Sequence, residues 1–158
     1  AIDACAQCTE GYDSKNGNIY TKFLCYKAFE ILEDAILTEN YEKLALGSLI
    51  DGLGFGNCST TLGHALSYVF SNEGYNHGHA LAFTTTVSHK FNNSIFYVRF
   101  KNLVKKMNFQ KIFLKQDLNE AAETTLLDKK HLDNNPNNVN QDDIISLLKK
   151  INNERVFD

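Results

Sequence analysis

Three histidines stand close together near the middle of this 158-residue chain, each flanked by small residues. His64 lies in Gly63-His64-Ala65-Leu66-Ser67-Tyr68, and His77 and His79 open the segment His77-Gly78-His79-Ala80. Neutral imidazole is the commonest ligand of zinc and also suits iron. If the two segments form an antiparallel helix pair, His64 and His77 point at one spot between them, the kind of place where helical bundles build metal sites. A carboxylate is the natural third ligand. Asp3 supplies one on a short helix that also carries Gln7 at i+4 and Glu10 at i+7, so the three share a face. Each residue also has a plainer reading: a histidine satisfied in a core or at the surface, a carboxylate favoured by a helix dipole.

Two other patterns are weaker. Gly52-Leu53-Gly54-Phe55-Gly56 lacks the third glycine of a dinucleotide fingerprint, which would fall at Asn57, and no strand precedes it. Close approach of two helices explains the glycines better. Cys5-Ala6-Gln7-Cys8 has the spacing of half a zinc site or of a redox dithiol, but a structural zinc site needs a second close pair, and Cys25 and Cys58 stand alone. Two small apolar side chains on a helix are the favoured reading.

The segments that must hold these residues read as helices. Apolar residues recur at helical spacing over residues 20–37, a well-buried helix, after a first short helix over 2–12 and a polar loop. Residues 41–58 follow as a glycine-bearing helix that continues over 59–70. After a turn comes a helix over 77–91, stopped by Asn92-Asn93. Residues 95–107 are amphipathic, with Arg99, Lys101, Lys105 and Lys106 on the outer face, and 116–127 read as one or two short helices. Past the single proline, Pro136, Asn140 is the expected N-cap of a last helix through Ile151. No strand has a convincing period of two. The expected fold class is all-α, a multi-helix bundle forming a single domain over residues 1–158.

Composition excludes several functions. With a formal charge of -3 the chain offers no broad basic face, so nucleic acid is not an expected partner. No apolar run approaches the roughly 18 residues of a membrane span, and no signal-peptide layout opens the chain. A soluble, cytoplasmic protein with free thiols is expected from four sparse cysteines. Because the chain starts on Ala1, inside what reads as a structured segment, it is expected to be a piece of a longer polypeptide.

Asp3-Ala4-x-x-Gln7-x-x-Glu10, then Gly63-His64-Ala65-Leu66-Ser67-Tyr68, then His77-Gly78-His79-Ala80 resemble, in that order, the C-terminal half of the iron-containing (group III) alcohol dehydrogenases. That family shows an Asp-Ala-x-x-His-x-x-Glu helix, a helical His and a Pro-His-Gly turn, on a fold shared with dehydroquinate synthase-like proteins. His131-Leu132-Asp133-Asn134-Asn135-Pro136 is similar to its closing Asn-Pro segment. The resemblance implies a two-domain enzyme in which an N-terminal α/β domain binds NAD or NADP and this helical domain binds a divalent metal, Fe or Zn. Asp3, His64 and His77 match three metal ligands, and Gln7 stands where most members have a fourth, a His. Tyr68 stands where many members carry a further His near the substrate and proton path; a phenol there titrates far higher. Asn76 replaces the usual Pro before His77, and the His64-to-His77 interval is one residue short of the usual one.

The implied chemistry is hydride transfer between a small alcohol or aldehyde and the nicotinamide, with the metal as Lewis acid on the substrate oxygen and His79 as an extra donor nearby. The helical pattern is similar to the subset of the family that includes phosphonoacetaldehyde reductases. The chain's own N-terminal nucleotide-binding domain is the implied partner, packing on exposed apolar surface that also admits a homodimer. Without that domain, the chain is expected to be inactive. The competing expectation is a non-enzymatic helical interaction module whose histidines are structural; a Cys/His zinc module is a third.

Overall fold

Polar residues able to accept from free backbone N–H groups begin most of the helices. In the computed structural model, which describes residues 1–158, α1 spans Ile2–Asp13, α2 Ile19–Leu37, α3 Tyr41–Phe55, α4 Leu62–Asn72, α5 His77–Asn92, α6 Tyr97–Met107, α7 Leu118–Leu126, α8 Lys129–Leu132 and α9 Gln141–Asn152. Asn18 caps α2 reciprocally with Thr21, and Asn140 caps α9 reciprocally with Asp143, as its position led us to expect. Asn40 and Asp117 cap α3 and α7. Asn93 and Asn108 end α5 and α6 in the left-handed conformation that asparagine tolerates. There are no strands, and the fold is all-α.

One continuous core of 33 buried apolar residues runs through the bundle, with Phe29, Phe70, Phe96 and Phe100 among its fully buried members. The close helix approach expected at the glycines is made against α2 at two of them: a Cβ on Gly47 would lie 2.8 Å from Leu32 Cγ, and one on Gly54 2.8 Å from Cys25 Sγ. Gly52 faces open space and takes no part. On the basic face of α6, Arg99 pairs with Glu33 and lies over the Phe29 ring, tying α6 to α2. All four cysteines are buried free thiols, and Cys8 Sγ donates to the Cys5 carbonyl.

Two expectations are corrected. The segment 59–70 does not continue helically from α3, because residues 56–61 form a link in which Ser59 takes a φ of 68°. Tertiary partners make this break affordable: the buried Asn134 amide donates to the carbonyls of Cys58 (2.9 Å) and Thr60 (3.0 Å). A helix would have satisfied those carbonyls locally. Nor is α2 buried throughout, since Ile19, Tyr20 and Phe23 are exposed, as are Leu46, Leu49 and Leu53 on α3. No helix is long and apolar enough to cross a membrane.

Candidate metal centre

The centre is assembled on α1, α4 and α5. Asp3 sits in the first turn of α1, His64 three residues into α4, and His77 at the first position of α5. One ligand atom from each lies within 4.8 Å of the other two. Nε2 of His64 is 3.6 Å and Nε2 of His77 3.9 Å from Asp3 Oδ1. Those gaps are long for hydrogen bonds, but they suit ligand atoms that each approach a shared ion to about 2 Å. The His64 Nε2 and Asp3 Oδ1 atoms are buried and have no hydrogen-bond partner in the chain, which is the condition a metal relieves. The residues present therefore fit a divalent metal ion.

Glu10 explains how His64 is aimed. It is a fully buried carboxylate whose Oε2 takes His64 Nδ1 at 2.7 Å and accepts from the backbone N–H groups of Thr61 (3.0 Å) and His64 (3.3 Å). Holding a proton on Nδ1 turns Nε2 toward Asp3 and His77, where a bound ion would take the place of the second proton of the imidazolium. Gly63 is required by the same carboxylate, for a Cβ there would lie 2.0 Å from Glu10 Oε1 and 2.9 Å from Thr85 Cα. His77 is oriented more loosely. Ser67 Oγ donates to the His64 carbonyl at 2.8 Å and lies 3.4 Å from His77 Nδ1, while the Tyr68 ring stacks on His77 with planes 15° apart.

The electrostatics follow. Burial opposes charge on His64, but Glu10 and Asp3 outweigh it and push its imidazolium up to about 9. Burial likewise works against the carboxylates of Glu10 and Asp3, yet His64 holds both below their usual values. Burial pulls His77 down and neighbouring His64 adds to that, against the opposing charges of Asp3 and Glu10.

Of the other residues expected near the centre, Gln7 lies one turn along α1 from Asp3, partly buried. Tyr68 is there, 42% exposed against His77. His79 is not brought to the group. Two residues beyond His77 on a helix its ring turns away, meeting the Gln110 carbonyl through Nε2 and stacking on Phe109. The structure adds His131, whose ring stacks on His64 at 6.1 Å and whose Nδ1 meets Asp128 at 2.6 Å. A carboxylate three residues before a histidine was the one sequence signal for that pair.

Comparison with known proteins agrees with this architecture. The C-terminal model of the Fe-containing alcohol dehydrogenase family matches residues 1–124. A 4-hydroxybutyrate dehydrogenase of Clostridium kluyveri is 33% identical, over 51% of this chain and 24% of its own length. Among solved structures, an iron-containing alcohol dehydrogenase of Thermotoga maritima superposes with a TM-score of 0.83 at 19% identity, covering 96% of this chain and 48% of its own. A sulfoacetaldehyde reductase of Bifidobacterium kashiwanohense, solved with NAD+, gives 0.82 at 19% identity, covering 95% of this chain and 48% of its own. A glycerol dehydrogenase of Schizosaccharomyces pombe gives 0.79 at 17% identity, with 98% and 50% covered. The chain thus spans about half the length of these structures and a quarter of the curated relative. The chain belongs to the Fe-containing alcohol dehydrogenase family, as its C-terminal domain.

Proposed function

We propose that this chain is the metal-binding and substrate-binding domain of an NAD(P)-dependent alcohol dehydrogenase, acting on a small alcohol or aldehyde together with an N-terminal nucleotide-binding domain. The observation that carries this reading is the convergence of Asp3 Oδ1, His64 Nε2 and His77 Nε2 with Glu10 behind His64. Asp3, His64 and His77 would hold the ion, Fe or Zn, with the Gln7 amide oxygen as a fourth, weaker donor. When bound, the ion supplies a Lewis acid for the substrate oxygen during hydride exchange with the nicotinamide.

The chain's own groups supply the rest. Glu10 keeps the His64 proton on Nδ1, so the Nε2 face stays available to a ligand. Ser67 does the same for His77 by accepting from its Nδ1. Tyr68, stacked on His77, walls the substrate side and presents a phenol in place of a group that titrates near neutrality. The exposed apolar residues of α2 and α3 are surface on which the nucleotide domain would pack.

Elemental analysis of the chain, purified without a metal-affinity tag, tests the reading. About one Fe or Zn per chain is expected, lost in His64→Ala and in His77→Ala. Undiminished metal in both variants would overturn it. Nicotinamide titration of the chain alone is expected to show no saturable binding, and alcohol oxidation by the chain alone to be undetectable.

A further inference from the structure

The Asp128 and His131 pair lies beside the centre and has no part in the reading above. Asp128 caps α8 by accepting from the His131 backbone N–H at 3.3 Å, and its carboxylate also takes Nδ1 of the same residue at 2.6 and 2.8 Å. One carboxylate thus fixes both the plane of the ring and its tautomer: Nδ1 carries the proton and Nε2 presents its lone pair. Asp128 is the ring's sole hydrogen-bonding partner in the chain. The His131 side chain is nearly buried, with 9% of its surface open, and Nε2 is not among the atoms sealed from solvent. The ring faces the centre, 6.1 Å from the His64 ring with planes 20° apart and 5.8 Å from the Tyr68 ring. A locked ring with an unused acceptor beside a ligand cluster has the geometry of a recognition group.

We propose that His131 is a substrate-binding residue of this centre, accepting a hydrogen bond at Nε2 from a second hydroxyl of a short diol or hydroxyaldehyde. The inference rests on the reading of Asp3, His64 and His77 as the anchor of the reacting oxygen. Charge selects a hydroxyl over a carboxylate at the far end of the substrate. Asp3, Glu10 and Asp128 place three carboxylates in this wall, and their ion-pair partners are histidines, with no lysine or arginine among them. With Nδ1 turned to Asp128, Nε2 is the position left to accept from a hydroxyl, whereas a carboxylate has no proton to give. The Tyr68 ring, partly exposed between His77 and His131, offers an apolar face to the carbons joining the two oxygens.

The test is NMR of the zinc-loaded chain with nitrogen-15 histidine, titrated with butane-1,4-diol and with 4-hydroxybutyrate, which has the same number of carbons. Zinc shifts at His64 and His77 report on the metal reading by themselves. The expected results are a saturable shift of His131 Nε2 with the diol, weaker binding of the hydroxy acid, and about fivefold weaker diol binding in His131→Phe. His131→Gln, which keeps an acceptor, is expected to recover part of that affinity, and Asp128→Asn to lose part of it. An unmoved His131 signal in a chain whose His64 and His77 respond to zinc overturns the proposal and leaves the metal reading standing. So does unchanged diol affinity in a folded His131→Phe. Equal or tighter binding of the hydroxy acid overturns the assigned substrate class. No zinc response at His64 and His77 overturns both, since the reacting oxygen then lacks its anchor.

Discussion

Two buried histidines lean on the same helix, α1, with opposite results. His64 is 4% exposed and His89 0% exposed, so burial alone works against a charge on each. His64 meets Glu10 at 2.7 Å and is pushed up to about 9. His89 gives its Nε2 to Thr9 Oγ1 at 2.8 Å and keeps Nδ1 3.6 Å from Asp13, with no hydrogen bond; burial pulls it down to about 4, against the pull of the Glu10 charge. Burial in turn raises Asp13 to about 6, with Glu10 adding to it and Ser94 and Lys22 opposing. The lesson is that burial does not set a histidine's role; the nearest carboxylate's geometry does. Where the carboxylate bonds Nδ1, Nε2 is left free for a ligand. Where a hydroxyl takes Nε2, the ring becomes a strut between α1 and α5.

Breaking the Glu10 contact should do the most damage. Glu10→Gln leaves the buried His64 with Asp3, 3.6 Å away, as its one close counter-charge and weakens the acceptor for the Thr61 and His64 N–H groups. Denaturant titration is expected to show a loss of about 3 kcal/mol, and zinc calorimetry a drop of roughly tenfold to a hundredfold in affinity. Gly63→Ala attacks the same contact by volume, and because Thr85 backbone as well as Glu10 must yield, a loss of about 2 kcal/mol is expected in the same titration.

A pH series sharpens the contrast. In the metal-free chain His64 holds a proton up to about 9 when folded but only to about 6.5 when unfolded, so its contribution is complete below 6.5 and lost as pH rises through 9. Asp51, buried in α3, acts with the same sign: burial and the Asp3 charge push it up to about 8, so its contribution falls away between 3.8 and 8. The depressed His89 works the other way, and only between about 4 and 6.5. The melting temperature is therefore expected to fall from pH 6.5 to 9, with a shallower slope below pH 8 in Asp51→Asn. A flat alkaline limb would remove the charged His64 from the picture. The smallest effect belongs to the strut. His89→Gln is expected to lower stability by about 1 kcal/mol while leaving zinc affinity and the alkaline slope unchanged.

Much of this was readable in the chain itself. The helix start expected at residue 20, the start at Asn140 and the stop at Asn92-Asn93 are local chemistry, and their positions held to within a residue or two. Asp3, His64 and His77 were legible as a group because their spacing and small neighbours survive in sequence. His79 falls outside the group because two residues along a helix turn a side chain through more than half a circle. Residues 59–61 read as helix because their alternative partners, Asn134 and Glu10, lie far away along the chain. The role of His131 was invisible for the same reason, its rings of contact being His64 and Tyr68 on α4.

Local order therefore determined which residues would be helical, where capping side chains end them and which faces are apolar, since those depend on neighbours within one or two turns. Which imidazole nitrogen is free, which carboxylate stands behind it and where α3 must stop before α4 were decided only by tertiary structure. Each of those is settled by a buried polar group finding its partner across the fold, and burial makes an unmet partner too costly for any other arrangement.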